Sequence, residues 1–258
     1  MRVRFEGTSK EYTRPEGEAL VALAGIDLTV ASGEFLAIVG PSGCGKSTLL
    51  QLAAGLIPAS GGRIVFDGER AGRPLTAVVF QEFALFEWRT VLQNVAFGLE
   101  VRRVPPVERD RLAHEYIRLV GLDGFEGRYP SELSGGMRQR VGIARALSVD
   151  PAVLLMDEPL SALDAQTRQL MQDEIVGIWE RTRKTVLYVT HNIHEAVYLG
   201  DRIAVLSRRP GRIRTVLQVP FERPRRDALL ADAAFGRFTN EVWAMIRDEA
   251  RTAMQEGA

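Results

Sequence analysis

A chain of 258 residues can bury a full core, as one large domain or as one domain with an inserted subdomain. Its 33 basic and 33 acidic residues cancel, so no global field recruits nucleic acid or an anionic membrane surface. One cysteine, Cys44, excludes an internal disulfide, the first seven residues lack the apolar core of a signal peptide, and no apolar run approaches the roughly 18 residues of a membrane span. These features predict a cytoplasmic protein that any membrane role would reach through a partner.

In chain order, residues 1–39 alternate apolar and polar positions, with turn signals at Arg14-Pro15-Glu16-Gly17 and Ala31-Ser32-Gly33-Glu34. Residues 22–30 have the pattern of a half-buried antiparallel strand. Tyr12, in the same region, is either an aromatic that stacks on a nucleotide base or a strand-packing residue. Residues 35–39 form an apolar run followed by Gly40-Pro41-Ser42-Gly43-Cys44-Gly45-Lys46-Ser47-Thr48, which reads as buried strand, glycine-rich turn and helix start. Residues 61–68 look hairpin-like. Residues 76–80 predict another buried strand, ending on Gln81. From about 91 to 147 the texture turns helical, with Pro105-Pro106 and Gly121, Gly124 and Gly127 as punctuation, which predicts an α-helical insertion in an α/β core. Strand-like runs return at 152–156, ending on Asp157-Glu158-Pro159, at 185–190, ending on His191, and at 202–206. A helix is expected between them at about 165–183. From Phe221 onward, Leu230, Ala234, Phe238, Val242 and Ile246 recur every four residues, an amphipathic helix that packs on the domain or meets a partner.

The Gly40 segment fills the pattern G-x-x-x-x-G-K-[ST]. Glycines let backbone N–H groups close on an anion, and a helix starting at Lys46 adds its positive dipole end. Lys46 reaches the terminal phosphates as a point charge, and the Ser47 hydroxyl is a ligand for Mg²⁺. The lysines are only Lys10, Lys46 and Lys184, so composition alone would give this pattern in roughly a few of every thousand such chains. Gly40, Gln81, Asp157 and His191 each follow an apolar run. Ligands of parallel α/β sheets bind at the carboxyl ends of strands, which predicts one shared site. Asp157 is placed to hold Mg²⁺ with Ser47, Glu158 to orient and deprotonate a water, and His191 to hydrogen-bond the γ-phosphate.

Leu133-Ser134-Gly135-Gly136-Met137-Arg138-Gln139-Arg140 resembles the signature motif of ATP-binding-cassette (ABC) ATPases. Its Ser-Gly-Gly offers a hydroxyl and unobstructed N–H groups at a helix start. The resemblance runs to about residue 213 and fills every motif position of the family. It implies a P-loop NTPase core of the RecA-like kind, with a mostly parallel sheet, an N-terminal antiparallel β subdomain and an inserted α-helical subdomain. The implied domains are an ATPase domain over 1–220, with the insertion at about 91–147, and a helical extension over 221–258. It assigns Tyr12 to the adenine and Gln81 to sensing Mg²⁺ and the γ-phosphate. Asp164, in Ser161-Ala162-Leu163-Asp164, falls in a loop that crosses to the opposite subunit, and His191 is the switch histidine. ATP is then held between Lys46 of one copy and Ser134 of another. One phosphate loop and one signature per chain imply a head-to-tail homodimer or a pairing with a similar subunit.

Trp88-Arg89-Thr90-Val91-Leu92-Gln93-Asn94-Val95, Asp164-Ala165-Gln166-Thr167-Arg168 and Ser207-Arg208-Arg209-Pro210-Gly211-Arg212-Ile213 resemble the nitrate, sulfonate and taurine group of bacterial importers. Relatives often carry Pro where Phe83 stands and Phe-Gly where Leu160-Ser161 stands. The resemblance implies integral-membrane permease subunits, indirectly a periplasmic or lipid-anchored solute-binding protein, and no nucleic acid. Phe86 and Trp88 would face the membrane partner or pack inside the insertion. The competing readings are a lipid-export or efflux ATPase, a soluble ABC ATPase without transport, and a non-catalytic nucleotide-binding regulator. Cys44 is either a reactive thiol with a lowered pKa, whose alkylation blocks ATP binding, or a small inert filler.

Overall fold

The computed structural model describes residues 1–13, 18–69 and 72–256, so the turn expected at Arg14-Pro15-Glu16-Gly17 lies outside the described residues. The first elements are β1 (Arg2–Thr13), β2 (Ala19–Val30), β3 (Phe35–Val39), α1 (Lys46–Ala53), β4 (Gly61–Asp67) and β5 (Thr76–Val79). Helices α2 (Val91–Val101), α3 (Pro106–Leu119) and α4 (Gly135–Ser148) follow, then β6 (Val153–Asp157), α5 (Ala165–Thr182) and β7 (Thr185–Val189). The chain closes with α6 (Ile193–Leu199), β8 (Arg202–Leu206), β9 (Ile213–Gln218) and α7 (Ala233–Glu256). By compactness it divides into two units, Met1–Glu69 with Lys184–Ala258, and Arg70–Arg183.

In the first unit, β1 lies between β2 and β4, antiparallel to both. Ile26, Leu28 and Val30 are buried at period two, as are Val3 and Phe5 on β1, which gives this sheet one apolar face. The glycine-bounded stretch at 61–68 is β4, and its partner is β1 rather than a neighbour in sequence. All five residues of β3 and of β7 are buried, the continuous apolar run of a strand covered on both faces. β3 pairs in parallel with β7 on one side and β8 on the other, with Ile38 opposite Val189 and Ala204. β9 pairs antiparallel with β8.

In the second unit β5 and β6 pair in parallel, Val79 opposite Met156. The stretch expected to be helical holds α2, α3 and α4 and, among the described residues, no strand. Thr90 and Gln93 form a reciprocal capping box at the start of α2. Pro106 is the first residue of α3, where a missing N–H costs nothing. α5 ends one residue before expected, because Arg183 turns into the left-handed region at φ 48°.

The C-terminal helix is amphipathic as expected, on a stripe offset from the one read in the sequence. α7 begins only at Ala233, and its buried line is Phe235, Thr239, Val242 and Ile246, while Ala234 and Phe238 are half-buried. Ahead of it, the buried Arg225 donates to the carbonyls of Val197 (3.0 Å), Tyr198 (3.0 Å) and Gly200 (2.6 Å), around the end of α6. Burial lowers its pKa to about 10. Phe235 meets the His194 ring at 5.7 Å between centroids. No helix among the described residues is long and apolar enough to cross a membrane.

Candidate phosphate-binding site

The loop after β3 is shaped by close approach. A Cβ at Gly40 would lie 2.9 Å from the Leu206 carbonyl oxygen. Gly45, the N-cap of α1, has φ 102°, and a Cβ there would lie 2.7 Å from Leu23 Cδ2, so no L side chain fits. α1 begins at Lys46, as expected, and a helix leaves its first N–H groups outside its own ladder, open to an anion. Lys46 is 7% exposed, and its Nζ donates to the carbonyls of Gly40 (2.9 Å) and Pro41 (3.0 Å). The ammonium is thus held over the mouth of the loop. Ser42, Gly43 and Ser47 are exposed, Pro41 and Thr48 half-buried.

Cys44 is buried, and that burial pushes its thiol pKa up, outweighing the nearby Lys46 charge. This corrects the expectation of a lowered pKa at a helix start: desolvation of a thiolate wins here over the helix end. The small-filler reading fits the site, since the Sγ would lie 3.0 Å from a Cβ at Gly40.

His191 follows β7, so Gly40 and His191 leave the same ends of neighbouring parallel strands. His191 is exposed on the turn into α6. That turn is fixed by the buried Glu195, whose carboxylate accepts from Tyr188 Oη (3.0 Å) and Thr190 Oγ1 (2.9 Å). Asn192 caps α6 by accepting from the Glu195 N–H. Tyr12, near the end of β1, is 37% exposed, with Lys10 Nζ 5.1 Å from its ring centre.

The second unit gathers the other candidates. Gln81 and Asp157 stand at the same ends of the parallel β5 and β6, and Asp157 is the last residue of its strand rather than the one after it. Glu158 follows with φ 45°, unusual for a side chain of its kind. Its carbonyl accepts from Ser161 N (3.1 Å) and Ser161 Oγ (2.9 Å). Ser134 is the N-cap of α4 and accepts from Met137 N at 3.3 Å, with Gly135 and Gly136 as the first helical residues. A Cβ at Gly136 would lie 2.8 Å from Thr167 Cγ2. Asp164 caps α5, accepting from Gln166 N (3.1 Å), Thr167 N (3.0 Å) and Thr167 Oγ1 (2.7 Å). Those bonds, the Thr167 N–H first, hold its carboxyl below the usual carboxylate range.

Downstream of Gln81, Phe83 lies under the Arg138 guanidinium at 4.9 Å. Phe86 is half-buried against Phe97 (4.6 Å) and Arg89, whereas Trp88 is 74% exposed. The two aromatics expected to act alike therefore part: Phe86 packs and Trp88 faces outward. The buried Asn94 accepts from Phe86 N (2.9 Å) and donates to the carbonyls of Phe86, Arg89 and Thr90 (3.1, 3.0 and 3.0 Å), which ties this segment to α2. Asn94 and Glu195 were not singled out from sequence. For Glu195 a signal existed, the Asn192-x-x-Glu195 spacing of a helix start; for Asn94 there was none.

Each unit offers hard oxygens of its own, the Ser47 hydroxyl on the first turn of α1 in the first, the Gln81 amide and the Asp157 carboxylate in the second. That chemistry fits Mg²⁺, which takes a few protein oxygens and fills its shell from phosphates and water.

Over residues 23–161 the sequence matches the family described as ABC transporter. It is 45% identical over 254 residues to the taurine import ATP-binding protein TauB of Rhizobium johnstonii, covering 98% of this chain and 96% of that one. It is 44% identical over 227 residues to the aliphatic sulfonates import ATP-binding protein SsuB of Bacillus cereus, covering 87% and 89%. Among solved structures, the dimeric post-hydrolysis state of the ATP-binding cassette MJ0796 bound to ADP and Pi aligns with a TM-score of 0.74 at 32% identity, over 85% of this chain and all of that one. The α/β fold with its antiparallel N-terminal sheet is therefore the ABC ATPase fold. With its phosphate loop, its Ser-Gly-Gly helix start and these relatives, the chain belongs to the ABC transporter family.

Proposed function

We propose that this chain is the ATP-hydrolysing subunit that energises a bacterial ABC importer for nitrate, a sulfonate, taurine or a related small solute. The observation that carries it is the presence, on one chain, of the β3–α1 phosphate loop and of a second glycine-bearing helix start at Ser134. The taurine and sulfonate import names of relatives at 44–45% identity supply the direction and the solute class.

In this reading the cassette spans 1–220, with an inserted helical subdomain at about 91–147 and a C-terminal helical extension over 221–258. Two copies, or one copy and a similar subunit, close head to tail, Lys46 of one opposite Ser134 of the other. Lys46 and the N–H groups of residues 42–48 bind the phosphates, and Tyr12 stacks on the adenine. Gly135 and Gly136 admit the phosphate to the second helix start, and Asp164 lines the loop toward the other copy. Ser47, Gln81 and Asp157 would hold Mg²⁺, which when bound neutralises phosphate charge. Glu158 orients the water and takes its proton, and His191 donates a hydrogen bond to the γ-phosphate. Binding closes the pair and hydrolysis opens it, which drives the permease between two states. The protein sits on the cytoplasmic face of the membrane through permease subunits, which a periplasmic or lipid-anchored solute-binding protein serves.

The test is an affinity pull-down of tagged Glu158→Gln protein with ATP from detergent-solubilised native membranes. Co-purification of a polytopic membrane protein supports the importer, and nitrate, sulfonates and taurine are then assayed on that complex. Recovery of ribosomal or DNA-repair partners with nothing from the membrane overturns the transport reading and leaves the ATPase standing.

A further inference from the structure

The turn between β8 and β9, Ser207 to Arg212, packs against the back of the phosphate loop. Arg209 donates from Nε (3.1 Å) and an Nη (2.9 Å) to one acceptor, the Gly43 carbonyl oxygen. Gly211 exchanges backbone bonds with Ala22 and Ala24, donating at 2.9 Å and accepting at 3.0 Å. A Cβ on Gly211 would lie 2.2 Å from the Cys44 carbonyl oxygen. Ser207 closes the turn on itself, with its N–H on the Arg212 carbonyl (3.0 Å) and its Oγ accepting from Arg212 N (3.1 Å).

A trans peptide points its C=O and N–H in opposite directions. Fixing the Gly43 carbonyl on Arg209 therefore aims the Cys44 N–H into the loop, where Pro41 O accepts it at 3.4 Å. That is a long bond, readily exchanged for a phosphate oxygen. Packing the Cys44 carbonyl on Gly211 fixes the next peptide, and hence the Gly45 N–H, in the same way. A guanidinium on the carbonyl side also polarises the peptide, and its N–H becomes a stronger donor to an anion.

We infer that Arg209 is a positioning residue of the phosphate loop: it touches no phosphate itself and sets nucleotide affinity by holding the peptide between Gly43 and Cys44 in its anion-binding orientation. This rests on the reading of residues 40–48 as the nucleotide site. It gives the Ser-Arg-Arg-Pro-Gly-Arg-Ile stretch, so far only a mark of subfamily, a physical task.

The experiment measures binding of a fluorescent ATP analogue and steady-state ATPase kinetics, with thermal melting of each variant. Arg209→Ala should raise Kd and KM about fivefold, the equivalent of one net hydrogen bond, while kcat changes by less than about twofold. Arg209→Lys, which keeps one charged donor, should fall between it and wild type. Arg212→Ala removes a bond to the Ala24 carbonyl in the same turn and should leave KM where it is. Unchanged KM in Arg209→Ala overturns the inference, and so does an equal rise in Arg212→Ala, which would mean general loosening of the turn. Lys46→Ala with normal affinity would remove the nucleotide site from residues 40–48, and this inference with it.

Discussion

The Ser161 hydroxyl donates to the Glu158 carbonyl at 2.9 Å, and the Ser161 amide reaches the same oxygen at 3.1 Å. Glu158 sits at φ 45°, a conformation that costs a non-glycine residue about 1–2 kcal/mol, so these two bonds hold the proposed base in place against its own backbone preference. Ser161→Ala removes one of them. The expected result is kcat lowered about fivefold at saturating ATP, one hydrogen bond of about 1 kcal/mol, with KM little changed. Unaltered turnover would show that the amide bond alone is enough.

Gly136 and Thr167 form a matched pair at the facing starts of α4 and α5. The Thr167 methyl cannot swing aside, because its hydroxyl is bonded to Asp164 at 2.7 Å. Gly136→Ala should therefore destabilise by about 1–3 kcal/mol of overpacking, less the roughly 1 kcal/mol that Ala gains over Gly in a helix. Thr167→Ser removes the methyl and keeps the hydroxyl. The double variant should melt at or above wild type, and a double variant no better than Gly136→Ala would place the strain elsewhere.

Glu195 is 3% exposed and holds the hydroxyls of Tyr188 and Thr190. Glu195→Ala should cost about 1–3 kcal/mol by removing a buried acceptor shared by the Tyr188 and Thr190 hydroxyls. A chain of this size loses about 2–4 °C of Tm per kcal/mol. Turnover should fall too, because His191 rides on the same turn, and Glu195→Gln should recover part of both. Thermal melts and ATPase rates on the two variants decide it.

A thiol whose pKa is raised has less thiolate at every pH below that value. Cys44 should therefore react with iodoacetamide at pH 7 far more slowly than a free cysteine, with a rate that climbs only at a higher pH than for the free thiol. Mass spectrometry of the labelled protein across pH 7–10 measures this. Labelling at the free-thiol rate at pH 7 would mean that burial does not control the group.

Gly40, Gln81, Asp157 and His191 were legible as strand-end positions because each adjoins a short apolar run, the pattern of a buried strand. Gly40 and His191 duly share one pair of strand ends, Gln81 and Asp157 another. β9 escaped notice because it is only half-buried, with Arg214 and Gln218 exposed among its apolar residues. α6 escaped because seven residues, all but His194 buried, show no face. Of the C-terminal stripe only Val242 and Ile246 lie on the buried line, for a geometric reason. A step of four residues turns a helix by 400°, a drift of about 40° each time, so Ala234 and Ile246 end up about 120° apart. Arg209 and Asn94 bind backbone carbonyls, and no residue pattern announces a carbonyl as a partner.

The outward-facing Trp88 makes this protein its own optical sensor. Trp179 is buried at 4% exposure and Trp243 is half-exposed, so Trp88, at 74%, is the tryptophan most open to solvent. A protein or bilayer that covers the segment after Gln81 will move the Trp88 emission to the blue, without any dye attached. Trp243→Phe clears the background on the C-terminal helix, and docking of the unlabelled chain then becomes a titration read in a cuvette.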